Sequence, residues 1–268
     1  MNEDLLKKIK TLPPLPETIR NVQRVCADPN ASLADLSRII EKDPMITANI
    51  LKATNSPLYG FSREITSINQ AVSLFGMSTI KGFAISTAVA HTFPIDLSPY
   101  GLTSEKFSAI SQMQSSLAFQ WLRGIECSMG DILLTASFLL ETGIIVISDF
   151  LIKGKADAAF KQVIAGGVTL EEGETRFTGS TNEEVASKIF EQWNFDKLIV
   201  ESIRYSITPD KADPEIYPYA APLAVIRTAI NIKEQLTDNS IAQAKELIEK
   251  YNLNMSQFEK AIAVLTQA

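Results

Sequence analysis

Histidine is almost absent from this 268-residue chain, which contains only His91. One imidazole cannot build a His-rich metal centre, and any Ser–His or Cys–His pair would have to use it. His91 ends a predicted helix, where an imidazolium is mildly favoured, so it reads as structural. Cysteine is scarce too. Cys26 and Cys127 provide neither a disulfide framework nor a paired-thiol metal spacing, and their apolar neighbours suggest reduced, packed thiols. Lys and Arg number 25 against 31 Asp and Glu, giving a net charge of -6. No basic run could neutralise successive phosphates, which argues against a nucleic-acid partner. Neither G-x-x-x-x-G-K-[ST] nor G-x-G-x-x-G occurs, so no phosphate-cradling loop is indicated. Ser78-Thr79-Ile80-Lys81 matches S-x-x-K, but without the S-D-N and K-T-G companions that would give it meaning.

What is abundant is apolar helix-former. The chain is 46% hydrophobic and 21% charged, the balance of a globular protein with a substantial core. Its most apolar stretch, Asp131 to Ile152, is too long for a strand and lacks proline, so it predicts one buried central helix. Glu141 near its middle makes membrane insertion costly, and none is expected. The N-terminus, MNEDLLKKIK, has acidic residues and no apolar core of signal-peptide length, so a cytoplasmic protein is expected.

Periodicity and capping signals divide most of the remainder into helices. Leu12-Pro13-Pro14-Leu15-Pro16 is a stiff entry to a helix from Glu17 to Ala27. Ser32 with Asp35, and Asp43 before Pro44, start two more. Ser67 with Gln70 starts a helix that closes at Gly76, and another runs from Ser78 to His91. The aperiodic stretch from Thr92 to Thr103 reads as a link between two lobes. Helices are then expected from Ser104 to about Ile125, Lys155 to Ala165, after Ser180 with Glu183 as capping box, Lys197 to Ser206, Pro218 to Leu236, Ser240 to Tyr251, and Ser256 onward. No stretch reads clearly as a strand. The fold class is all-α.

Few residues stand out chemically. Glu141 must be paired, hydrogen-bonded or protonated if buried, as a catalytic acid or as a satisfied structural carboxyl. Glu171, Glu172 and Glu174 read as a solvated helix face. Asn55 either caps the backbone or meets a partner. Tyr59 and Phe61 fit a core or a docking patch equally well.

Five ordered motifs give a resemblance. They are Leu12-Pro13-Pro14-Leu15-Pro16, Ile40-Glu41-Lys42-Asp43-Pro44, Leu51-Lys52-Ala53-Thr54-Asn55-Ser56-Pro57-Leu58-Tyr59-Gly60, Ile65-Thr66-Ser67-Ile68-Asn69-Gln70-Ala71-Val72 and Leu74-Phe75-Gly76. With them the chain resembles the HDOD family, bacterial relatives of the HD metal phosphohydrolases. The resemblance implies an HDOD-like domain over residues 12–210, with lobes at about 1–92 and 104–210, and a helical extension at 211–268 packed on it. It places the HD metal ligands at Ile110, Leu140, Glu141, Asn182, Ser206 and Ile207, none of them histidine, so neither a metal nor another cofactor is expected. It further implies a non-catalytic regulatory module of bacterial signal transduction that binds another signalling protein, with Asn55, Ser56, Pro57, Tyr59 and Phe61 as the candidate partner-binding turn and a homodimer as one possible state. The alternative is a degenerate HD fold that senses a nucleotide or other small molecule without hydrolysing it, with Arg123, Arg176 and Arg204 meeting phosphates.

Overall fold

A computed structural model describes residues 2–92, 96–122 and 127–267, without the side chains of 89–92, 127 and 128. The expectation attached to Arg123 and the side chains of His91 and Cys127 therefore lie outside the described residues.

The chain is all-α. Helices α1 (Glu3–Lys10), α2 (Glu17–Ala27), α3 (Leu33–Ile40), α4 (Pro44–Thr54) and α5 (Ile68–Thr92) form the N-terminal part. Helices α6 (Ser104–Trp121), α7 (Cys127–Leu139), α8 (Gly143–Lys153), α9 (Asp157–Ala165), α10 (Leu170–Thr178), α11 (Asn182–Gln192) and α12 (Lys197–Arg204) follow. Then come α13 (Tyr217–Ala229), α14 (Asp238–Lys250) and α15 (Met255–Gln267). Among the described residues the only extended pairing is an isolated bridge between Ile230 and Gln235.

Several starts sit where the sequence puts them. Ser32 and Asp35 form a complete capping box, and Asp43 Oδ1 accepts from the Met45 and Ile46 amides, both at 3.1 Å, ahead of Pro44. Gly76 interrupts α5 with φ 78°, a value glycine reaches without Cβ strain. One hydrophobic core runs from Leu5 on α1 to Leu265 on α15, so the C-terminal helices share it with the rest.

Three expectations need correction. Asp131–Ile152 is two helices, broken by a turn at Leu140–Thr142. The turn lets Gly143 meet α11 with no Cβ between them: a Cβ there would lie 2.7 Å from Asn182 Oδ1 and closer still to the Asn182 carbonyl oxygen. The capping box of α11 is Thr181 with Glu184, one residue later than Ser180 with Glu183. Finally, α13 ends at Ala229, well before Leu236, because Asn231 Oδ1 takes the amides of Lys233 and Glu234 in a local turn that competes with helix.

The stretch Met129–Lys153 is long and apolar enough to cross a membrane by composition, yet 78% of that window is buried inside the fold.

The Asn55–Phe61 turn is bound to its own chain. Asn55 Nδ2 donates to the carbonyls of Leu51 (2.9 Å) and Ile65 (2.8 Å), and its Oδ1 accepts from the Ile65 amide at 2.8 Å. From α6, Ser116 Oγ donates to the Leu58 carbonyl at 2.6 Å and Gln120 Nε2 to the Tyr59 carbonyl at 3.2 Å. Tyr59 is 1% exposed, edge-on to Phe75, Phe83 and Phe119, so its ring belongs to the core. Removing all three Asn55 bonds by Asn55→Ala is expected to destabilise the protein by about 1–3 kcal/mol, read as a lower urea midpoint at unchanged slope.

Candidate functional site

The densest buried polar cluster lies where α6, α8, α10, α11 and α13 converge. At its centre is Arg227 on α13. Its Nη2 pairs with Glu183 Oε1 at 2.6 Å and its Nη1 with Glu171 Oε1 at 2.8 Å, while its Nε lies 3.6 Å from Glu141 Oε1. Glu183 is 0% and Glu141 1% exposed. A carboxylate so deep survives only with a cation or a proton, and here one guanidinium faces two of them together with the half-buried Glu171.

Neighbouring groups close the cluster. Gln114 on α6 donates through Nε2 to Glu141 Oε1 and to the Ile230 carbonyl, both at 2.9 Å. Asn182, first residue of α11, donates through Nδ2 to the Leu140 carbonyl (2.8 Å) and to Glu141 Oε2 (3.2 Å). Its Oδ1 accepts from the Ile144 amide at 3.0 Å, satisfying one of the free N–H groups at the start of α8. Glu174 on α10 accepts from the Asn182 amide at 2.7 Å and from the Tyr100 hydroxyl at 2.9 Å.

These surroundings set the ionisation. Burial pushes the Glu141 carboxyl above its usual range against the pull of Arg227. Burial, and then Glu183, push Glu174 well above it. Glu171 is held low: burial opposes ionisation, but the charge and hydrogen bond of Arg227 prevail. Burial would lower the guanidinium of Arg227, yet Glu183, Glu141 and Glu171 more than offset it and hold it charged.

A raised carboxyl means that the folded state holds a proton the unfolded chain has released. The stability this contributes is fully present below the unfolded value of 4.5 and is lost as pH rises through the folded value. Glu174→Gln removes that dependence. The variant is expected to match wild type near pH 5 and to equal or exceed it near pH 8, as urea titrations at the two pH values would show; a variant less stable at pH 8 than at pH 5 relative to wild type contradicts it.

Of the positions set by the resemblance, the structure brings Leu140, Glu141 and Asn182 together. Leu140 and Ile110 are buried apolar side chains with nothing to donate. The α6 side chain that reaches the cluster is Gln114, one turn beyond Ile110. Ser206 Oγ donates to the Ile203 carbonyl at 2.8 Å, and Ile207 is half-buried just past α12. The acidic run is no solvated face: Glu174 is buried and Glu171 is paired with Arg227. Of the arginines proposed for phosphates, Arg204 pairs with Glu191 and Glu201 outside the cluster, and Arg176 is exposed.

This residue set does not fit the divalent metal of the HD relatives. Three positions, Ile110, Leu140 and Ile207, lack a donor atom, Asn182 is engaged with backbone, and a guanidinium already sits against Glu141 and Glu183. Among the described residues no three His, Cys, Asp or Glu side chains are grouped to hold a metal ion. Sequence reasoning missed Arg227 and Glu183. Arg227 is the sole charge within Ala220–Ile230, and that isolation was the available signal.

Two concave surfaces adjoin these features. A cavity of about 390 Å³ opens against Glu141, Glu171 and Arg227, walled by Thr228 and the 231–234 loop. A separate groove of about 690 Å³ runs between Phe61–Ile65 and the first turns of α5, with Phe61 36% and Leu74 48% exposed.

Comparison with known proteins agrees with the all-α fold. A family model described as HDOD domain matches residues 12–209. A Treponema pallidum protein is 18% identical over 233 residues, covering 83% of this chain; the chain spans 43% of that relative's length. Among solved structures, a virulence factor of Campylobacter jejuni is 28% identical, with 99% of this chain and 96% of that one covered at a TM-score of 0.63. A Shewanella amazonensis protein provisionally named a phosphohydrolase is 22% identical, with 97% of each chain covered at 0.66.

Proposed function

This chain belongs to the HDOD domain family, and on that premise we propose that it is a non-catalytic regulatory module of bacterial signal transduction, acting in the cytoplasm by binding another signalling protein. The observation that carries this reading is the content of the former metal positions. Ile110 and Leu140 are core side chains, Asn182 caps α8, and the charge of Glu141 is answered by Arg227. Nothing there is arranged to activate water. The test is metal analysis of the purified protein alongside a phosphodiesterase assay on cyclic dinucleotides. Stoichiometric transition metal together with turnover overturns the proposal.

The partner surface is narrower than the sequence suggests. Asn55 and Tyr59 hold the fold, whereas Phe61 lies in the groove with Leu74 and is open to a partner. Phe61→Ser with Leu74→Ser is expected to keep the fold, by circular dichroism, and to reduce partner retention in affinity capture. Equal retention by both forms moves the interface elsewhere.

A second reading, a sensor that binds a small molecule without hydrolysing it, is favoured by the cavity at Glu141 and Arg227.

A further inference from the structure

A third cavity, of about 160 Å³, shares no lining residue with the two described above. Helical spacing builds its polar walls. Asn49 and Lys52 lie three residues apart on α4, and Ser108 and Gln112 four apart on α6, so each pair shares one face of its helix. Ser86 and Thr87 add two hydroxyls from α5. The apolar side is formed by the buried rings of Phe83 and Phe138, which meet edge-on with centroids 4.9 Å apart.

The charge in this lining has one sign. Among the described residues Lys52 is its only ionisable group, in a chain where 31 acidic residues outnumber 25 basic ones. Lys52 makes no ion pair among them; Glu105, the carboxylate its charge reaches, is fully exposed and lies outside the lining. The hydroxyls are also uncommitted. Helical Ser and Thr side chains can turn back onto the carbonyl four residues earlier, as Thr54 and Thr178 do at 3.0 and 2.8 Å. Ser86, Thr87 and Ser108 do not, and among the described residues neither they nor the Gln112 amide has a side-chain partner. A cation would find no carboxylate here, and an uncharged ligand would leave the ammonium unanswered. An anion that accepts several hydrogen bonds answers the ammonium and the hydroxyls together.

We propose that this cavity binds a phosphate group, with Lys52 as its counter-charge and the hydroxyls of Ser86, Thr87 and Ser108 as hydrogen-bond donors. Its size narrows the ligand. A space of about 150 Å³ holds a six-carbon ring, so a five-atom oxyanion fits, whereas drug-sized and nucleotide-sized ligands need roughly 300 Å³ or more. The buried rings keep one side dry, which strengthens charge-assisted bonds at the other. Occupancy would tie α4 and α5 to α6, whose Ser116 and Gln120 also hold the turn that leads to Phe61.

The experiment is isothermal titration of the full chain with inorganic phosphate and, separately, with glycerol phosphate as a small monoester, at constant ionic strength. Saturable binding of at least one, weakened roughly tenfold or more by Lys52→Met, is the expected result. Ser108→Ala should weaken it less, and Lys52→Arg, which keeps the charge, should retain it. Lys52 and Ser108 are exposed, so these replacements leave the fold intact. Tighter binding of the free ion identifies the ligand as inorganic phosphate, and tighter binding of the ester identifies it as the phosphate of a larger metabolite. Saturation that Lys52→Met leaves unchanged puts the anion elsewhere and overturns the site. No saturation by either ligand up to about 10 mM also overturns it.

Discussion

Arg227→Met is expected to destabilise the protein by about 3–5 kcal/mol, the cost of leaving buried carboxylates without their counter-charge. Glu183 and Glu141 are essentially inaccessible to water, and among the described residues Arg227 is the only cation paired with either. At roughly 2–4 °C per kcal/mol for a chain of this size, the melting temperature should fall by about 6–20 °C. Methionine matters as the replacement because it keeps most of the volume, so the loss reports charge rather than a cavity. Arg227→Lys keeps the charge but loses the fork that reaches separate carboxylates, and should fall between the two. The deficit should shrink as pH falls, because Glu141, already raised, takes a proton more readily than a carboxyl in water. Thermal melts by circular dichroism at pH 5 and pH 8 read both effects. A methionine variant that melts with wild type at pH 8 would show that the cluster is neutralised by protons and not by the guanidinium.

Gly143→Ala should be nearly as damaging for an unrelated reason. The added methyl would meet the Asn182 carbonyl and its Oδ1, the latter at 2.7 Å, and the first of these is main chain fixed at the start of α11. Relief requires α8 and α11 to separate, which also breaks the bond from the Ile144 amide to Asn182 Oδ1 and loosens Asn182 from Glu141. Overpacking alone costs about 1–3 kcal/mol, and the stranded amide adds about 1–3 kcal/mol. The loss should appear in the urea midpoint. A Gly143→Ala protein as stable as wild type would show that the two helices can separate freely at this junction.

Both predictions concern residues that the chain's local patterns do not mark, and the reason separates the two kinds of information. Caps are short-range hydrogen bonds between a side chain and amides two or three residues on, so Ser32 with Asp35 and Asp43 before Pro44 are legible from neighbours alone. Where two candidate boxes overlap, as at Ser180 and Thr181, local chemistry does not choose between them. The register is set by which side chains α8 and α13 need facing them, and that register turns Asn182 and Glu183 inward.

The central apolar stretch shows the same limit. Its hydrophobicity dictates burial wherever it lies, but hydrophobicity is non-directional and says nothing of the break at Leu140–Thr142. The break lies where Gly143 meets Asn182 with no room for a Cβ between them. The family motifs likewise identify the fold from residues 12–76, yet they do not reveal whether Tyr59 faces a partner or the core. Only the ring of Phe75, Phe83 and Phe119 around it answers that.

The sequence by itself therefore determined an all-α chain of the HDOD type, its lack of imidazole at the inherited metal positions, and a buried carboxyl at Glu141 in need of a partner. Which partner was beyond it. Glu141 and Arg227 are 86 residues apart, and pairing them depends on α13 folding back against α6 and α7. Local rules fix helices because a helical hydrogen bond spans four residues. A counter-charge for a buried acid can come from anywhere the chain returns, and only the assembled core decides where.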